Sequence, residues 1–158
     1  TGERVRMTQT QESLIEVKEK PRMVEWAFLV GLCHGHEEVE HVEELLDELA
    51  ELTDTLGVNV VGRTVARLRR PQSRYLLGEG KADEIAAMAK EAGADVIVLD
   101  DELTPSQQRN WEARADLAVI DRQEVILDIF AKHATTREAE LQVALARSKY
   151  DLPRLKRR

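Results

Sequence analysis

Apolar residues change their spacing several times along this chain, and each change marks an element. Val24 to Leu32, VEWAFLVGL, is a nearly continuous apolar run with Gly31 near its end, the pattern of a strand buried on both faces. The period then becomes three and four. Val39, Val42, Leu45, Leu46, Leu49, Leu52 and Leu56 fall on one helical face while the acids between them point outward, and Gly57 stops the helix. Val58 to Val61 and Thr64 to Leu68 are β-rich, and Gly62 between them predicts a bulge or bend in one long strand that Pro71 ends. A loop, PQSRYLLGEGK, leads into a helix carrying Ile85, Ala86, Met88 and Ala89, with Gly93 at its end, and Ala94 to Leu99 reads as another buried strand. Thr104-Pro105 is an N-cap followed by proline in the first turn, starting a helix through Trp111 to Ala115. Leu117 to Ile120 is the fourth strand. Asp121 caps the next helix, whose Val125, Ile126, Leu127, Ile129 and Phe130 predict burial on most sides.

Strands alternating with helices imply an α/β fold, a mainly parallel sheet of about four strands with helices on both faces. From Thr135 the pattern differs. Leu141, Leu145, Leu152 and Leu155 fall on alternating spacings of four and three, with Glu138 and Ser148 at the remaining seam positions, ending near Pro153. That is a coiled-coil face with no second helix in this chain to cover it, so the last helix is expected to be the first of a hairpin cut short. The expected organisation is a lead-in over 1–23, an α/β domain over 24–134 and the hairpin helix over 135–158. Weak periodicity in the lead-in comes from Leu14, Ile15 and Val17, and Pro21 closes it.

Composition narrows the class. The 158 residues fit one domain; 42% are apolar, enough for a core, and 34% are charged, above the usual share of about 25%, which predicts extensive solvated helix surface. No apolar run approaches the roughly 18 residues that span a bilayer, and no apolar signal region opens the chain, so a soluble cytoplasmic protein is expected. Cys33 is the single cysteine, so no internal disulfide forms and no CxxC pair holds zinc. The net charge of -7 argues against indiscriminate binding of nucleic acid. Its distribution matters more than its sum. Glu37 to Asp54 holds nine acids and no Lys or Arg, whereas Arg63, Arg67, Arg69, Arg70, Arg74 and Lys81 form a basic block, and Arg154, Lys156, Arg157 and Arg158 close the chain. Such patches bind phosphate despite an acidic total, unless they serve only to balance acidic neighbours.

Three groups of residues carry candidate chemistry. In LLGEGKA (Leu76 to Ala82), amides freed by Gly78 and Gly80 at a helix start, with Lys81, could cradle an anion, though Tyr75 and Ala82 break the strict phosphate-loop pattern and Asp83 breaks GxGxxG. A tight helix-entry turn is the plainer reading. Cys33, His34, His36 and His41 follow the first strand, but their spacing matches no metal-ligand set, and no metal is expected. Asp100, Asp101 and Glu102 follow a strand at its carboxyl end, where open α/β sheets place ligands, as in a receiver-like phosphoacceptor domain. The first strand, however, leads to GLCHGH instead of an acidic pair. No Ser or Cys is spaced from a His and an acid as a catalytic triad requires, so no catalytic residue is assigned.

Three segments in order, RYLLGEGK (Arg74 to Lys81), DDELTPSQQRNWE (Asp100 to Glu112) and VIDRQEVILDIFAKHATTREAELQVALARSKYDLPRL (Val119 to Leu155), resemble the N-terminal domain of the HflX family of ribosome-associated GTPases. The sequence departs from the family at Gln123, where Thr is frequent, and at Ala139-Glu140, where many members carry Gly-Lys. The resemblance implies an α/β unit, two long helices packed as a hairpin, and then a GTPase domain that would bring GTP and magnesium. It also implies that the missing second helix covers Leu141, Leu145, Leu152 and Leu155. This part of the protein holds no cofactor of its own under that reading, beyond weak adenine-nucleotide binding near GEGK. The implied partners are the large ribosomal subunit and its RNA, together with the protein's own GTPase domain; it is the basic patches themselves, not the resemblance, that point to Arg69, Arg70, Arg74, Lys81, Arg154, Lys156, Arg157 and Arg158 as the residues meeting RNA phosphates. The implied outcome is splitting or rescue of stalled ribosomes. A protein-interaction module using the acidic helices and the open seam is the competing expectation, and self-association through the last helix is a separate one.

Overall fold

The computed structural model of the chain describes residues 24–68 and 77–155. Four strands, β1 (Trp26–His34), β2 (Asn59–Leu68), β3 (Val96–Leu99) and β4 (Ala118–Asp121), form one parallel sheet in the order β2-β1-β3-β4. Parallel neighbours require crossovers, and these are supplied by α1 (Val39–Thr55), α2 (Glu79–Glu91) and α3 (Pro105–Ala115), with α4 (Arg122–His133) and α5 (Arg137–Leu155) following β4. The α/β expectation holds.

Alternation along β1 sends Ala27 and Leu29 to one face and Phe28, Val30 and Leu32 to the other. The first face packs against Leu46 and Leu49 of α1 and Val125 of α4; the second packs against Ile85 and Ala89 of α2 and Trp111 of α3. Trp111 and Ile85 are fully buried, and each such side chain contributes roughly 1.5–3 kcal/mol. Gly31 lets α1 approach the sheet, because a Cβ there would stand 2.7 Å from Val42 Cγ1 and 3.0 Å from Leu46 Cδ1. The bulge falls one residue before the expected glycine. Ala27 pairs with Val60 and Phe28 with Gly62, leaving Val61 as the extra residue, and Gly62 is small because the Phe28 ring would lie 2.9 Å from its Cβ.

Helix ends follow their sequence signals. Thr104 and Gln107 form a reciprocal capping box with Pro105 at the first position, and the Asp121 carboxylate accepts from Glu124 N. Gly57 and Gly93 adopt φ of +80° and +81° just beyond α1 and α2, a backbone that L side chains rarely take. One expectation needs correction. Phe130 is 58% exposed, because α4 buries Val125 and Leu127 while Phe130 lies on the rim of a shallow hollow between α4 and α5. The last helix ends at Leu155, close to the expected end near Pro153, and Arg154 ties its final turn to the body of the domain through Gln108 and the Leu103 carbonyl.

Candidate functional site

The basic and glycine-rich positions singled out in the sequence fall into three groups. Arg69, Arg70, Arg74, Lys156, Arg157 and Arg158 lie outside the described residues. The GEGK turn is described, and it is a helix entry: Gly78 is the N-cap of α2, and Gly78 O accepts from Ala82 N. Carboxylates crowd that entry. Arg114 meets Asp83 at 2.5 Å and Glu79 at 3.9 Å, and Lys81 meets Glu84 at 3.4 Å. The Arg114 guanidinium bonded to Asp83 holds that carboxyl below its ordinary range. A Cβ at Gly78 or Gly80 would meet nothing within 4 Å. Gly80 lies inside α2 and makes no close approach, so Gly80→Ala is expected to stabilise the chain by about 0.5–1 kcal/mol, read as a rise in the urea midpoint. A drop in the midpoint would show that the glycine backbone is needed there.

Arg154, the third group, is engaged inside the protein. Its Nη2 donates to Leu103 O at 2.6 Å, Nε to Gln108 Oε1 at 2.7 Å and Nη1 to Tyr150 O at 2.9 Å, and the guanidinium carbon lies 3.6 Å from the Tyr150 ring centroid. It also stands 3.6 Å from Asp121 Oδ2. Asp121 is completely buried at the carboxyl end of β4, where it accepts from Leu103 N, Glu124 N and the Tyr150 hydroxyl, all at 3.0 or 3.1 Å. Burial, with the Glu124 and Asp121 carboxylates beside it, pushes the Tyr150 phenol far above its usual range and keeps it a donor.

One helical turn earlier, Arg147 spans three acids: Asp128 at 2.5 Å, Glu124 at 2.8 Å and Asp151 at 3.2 Å. Arg147, Tyr150, Asp151 and Arg154 recur at three and four, so they share one face of α5. The leucines occupy the opposite face and stay open, with Leu141 60% and Leu152 61% exposed. A helix whose only buried residue is Tyr150 is thus fixed to the sheet by one aromatic ring and a network of charge-assisted bonds. Spacing could have revealed this second stripe, but charged residues there read first as solvated surface.

Burial raises the Glu124 carboxyl to about 7, against the pull of Arg147, and raises Asp100 to about 6, against Arg122. Both values lie above the ordinary 4.5 and 3.8, so the folded chain holds more protons than the unfolded one between those limits. Stability is therefore full below the ordinary values and falls as pH rises through about 6 to 7. Urea midpoints should be higher at pH 5 than at pH 8, and Glu124→Gln should remove part of the slope. A profile unchanged by that substitution would assign the slope elsewhere.

The crevice between the carboxyl ends of β1 and β3, where the strand order reverses, is filled by the protein's own pairs. His34 Nε2 lies 2.6 Å from Asp101, and Arg122 bridges Asp100 at 3.2 Å and Glu48 at 2.7 Å. Burial raises the Asp101 carboxyl, opposed by its bond to His34. The acidic turn read as a possible phosphoacceptor is thus engaged in internal pairs. Cys33 is buried and bonds Glu37 O at 2.8 Å, and Arg63 meets Asp47 at 2.6 Å and Glu43 at 3.0 Å. Among the described residues, no three His, Cys, Asp or Glu come together as a metal site, and no helix is long and apolar enough to cross a membrane.

Residues 43–131 match the model of the GTP-binding GTPase N-terminal family, and residues 133–158 match that of the GTP-binding GTPase middle region. Among curated relatives, the GTPase HflX of Akkermansia muciniphila is 47% identical over 91% of this chain, and that of Alkalihalophilus pseudofirmus 43% over 86%. The chain spans about a third of the length of these relatives: 33% of the first and 32% of the second. A GTP-binding protein from the hyperthermophilic archaeon Sulfolobus solfataricus, solved in complex with GDP, shares the fold with a TM-score of 0.61 at 23% identity, over 84% of this chain and 38% of that one.

Proposed function

We propose, since this chain belongs to the HflX family of GTPases and matches the amino-terminal and middle regions of those proteins, that it is the ribosome-docking part of a GTP-dependent factor acting on the large subunit. GTP and magnesium would be bound by a guanine-nucleotide domain beyond this chain. The α/β unit would hold ribosomal RNA, and α5 would carry motion between that contact and the nucleotide, so that the whole protein splits or rescues stalled ribosomes in the cytoplasm. The observation that carries this reading is the fixed attachment of α5. Asp121, Arg147, Tyr150 and Arg154 clamp one face of the helix to the end of β4 and to α4, while its leucine face is open to a partner helix. A lever works only if it does not slip at its base, and this base is held by buried charges on both sides.

RNA contact would rest on Arg69, Arg70 and Arg74, between the end of β2 and the start of α2, joined by Lys81 and by Lys156, Arg157 and Arg158 after α5. Arg154, with its nitrogens turned to internal acceptors, serves the lever. Phosphate contacts release counterions, so binding should weaken steeply with salt. Co-sedimentation of the chain with purified large ribosomal subunits over a salt series tests this, with Arg69, Arg70, Arg74 and Lys81 all changed to Ala as the comparison. Loss of four phosphate contacts should flatten the log–log salt slope by about three. Absence of binding at low salt would refute docking by this part of the protein.

The exposure of Leu141, Leu145, Leu152 and Leu155 favours a second reading, a protein-interaction surface in which the seam takes a helix from a partner or from a second copy. Apolar association of that kind is nearly indifferent to salt, which separates the two readings in the same experiment.

A further inference from the structure

On the face of the sheet covered by α1 and α4, those two helices leave a hollow of about 320 Å³ between them. Val96, Val98 and Ile120 form its floor, Leu56 and Val125 its walls, and Val24 and Val58 also line it. Two of its polar groups are already engaged: Thr53 Oγ1 donates to Leu49 O, and Lys132 Nζ donates to Thr55 O across the gap. Glu124 is different. Its Oε1 takes Arg147, while its Oε2 is buried with no hydrogen-bond partner among the described residues, and the side chain is only 9% exposed. An apolar trough beside an unanswered carboxylate oxygen fits an occupant with aliphatic side chains and a nearby cation.

We propose that this occupant is the chain's own segment around residues 14–17, with Leu14, Ile15 and Val17 filling the trough and Lys18 or Lys20 meeting Glu124. Where the segment joins the domain is the first argument: Val24, the first described residue, is itself part of the lining, which puts the point of attachment at the hollow. Reach is the second. Six residues lie between Val17 and Val24, and the seven steps that join them, at about 3.3 Å each, span up to about 23 Å, ample to lay Leu14 to Val17 against a cavity of this size. Charge is the third, since KEKPR at 18–22 places three cations immediately after the apolar group and on the side nearer the domain. A tether this short also gives the segment an effective concentration in the millimolar range, which a free competitor must exceed.

The test uses the full 158-residue chain with labelled methyl groups. Nuclear Overhauser contacts are expected from the Leu14, Ile15 and Val17 methyls to those of Val98, Ile120 and Val125, unchanged on tenfold dilution. A variant with Leu14, Ile15 and Val17 all changed to Asp should move the Val98 and Ile120 methyl signals while leaving those around Trp111, on the other face, in place. Absence of the contacts in the unaltered chain would overturn the proposal. So would contacts that appear only between differently labelled molecules in a mixed sample, which would make the occupant a second copy.

Discussion

Asp121→Ala is expected to cost about 3–5 kcal/mol, enough to remove a large part of the stability of a domain this size. Four donors converge on this carboxylate. Oδ1 accepts from Glu124 N and from the Tyr150 hydroxyl, and Oδ2 accepts from Leu103 N with the Arg154 guanidinium 3.6 Å away. Removing it uncaps α4, frees the loop before α3, leaves a buried phenol without its acceptor, and takes from the largely buried Arg154 the carboxylate that balances its charge. Asp121→Asn should fare badly too. Either orientation of an amide would turn an NH2 toward a donor, so the near-isosteric change keeps the shape and loses the chemistry. Tyr150→Phe removes one bond only and should cost about 1 kcal/mol. Urea titration followed by fluorescence of the fully buried Trp111 ranks the three. A loss under about 1 kcal/mol for Asp121→Ala would mean that the helix caps and packing hold α5 without it.

Much of the architecture was legible in the sequence because local signals agreed with one another. Thr104, Pro105 and Gln107 mark the start of α3 by chemistry that acts within a single turn, and the apolar run at 24–32 is long enough to be read as a strand covered on both faces. The bulge was visible through Gly62, displaced by one residue because the glycine answers the Phe28 ring and the extra residue is its neighbour Val61. Phe130 was misjudged for a tertiary reason. Periodicity shows that a side chain is apolar and which way it points, but α5 crosses α4 at a level that leaves this ring on a rim.

The candidate site was less legible, and the reason is electrostatic. Arg154 at the end of a chain rich in cations looks like solvated charge. Its role depends on Leu103, Gln108 and Asp121, which are 33 to 51 residues away in sequence, and no spacing rule connects them. The leucine stripe of α5 was readable because it follows one helical period, whereas the clamp on the other face needs two elements brought together before it exists. The same holds for GEGK. Glycine at a helix start suggests an anion cradle until Glu79, Asp83 and Glu84 are seen around it, the first two paired with Arg114 of α3 and the third with the turn's own Lys81.

The clamp also predicts how stability should respond when its central cation is removed. Arg147→Met keeps most of the side chain's length and apolar body but leaves Glu124, Asp128 and Asp151 facing one another without the charge that links them. Breaking a buried pair in this way costs about 3–5 kcal/mol when the acids are ionised. Glu124 already sits at about 7 with the guanidinium in place, so without it the carboxyl must move higher still. At pH 5 the variant can hold a proton on Glu124 and reduce the repulsion; at pH 8 holding that proton, or ionising beside two other acids, is paid for in stability. The deficit relative to the unaltered chain should therefore be clearly larger at pH 8 than at pH 5, and adding Glu124→Gln to the variant should recover part of it at pH 8. Thermal midpoints at the two pH values give the answer directly. An equal deficit at both would mean that Arg147 holds α5 by packing, and that the attachment of α5 owes nothing to this ion-pair network.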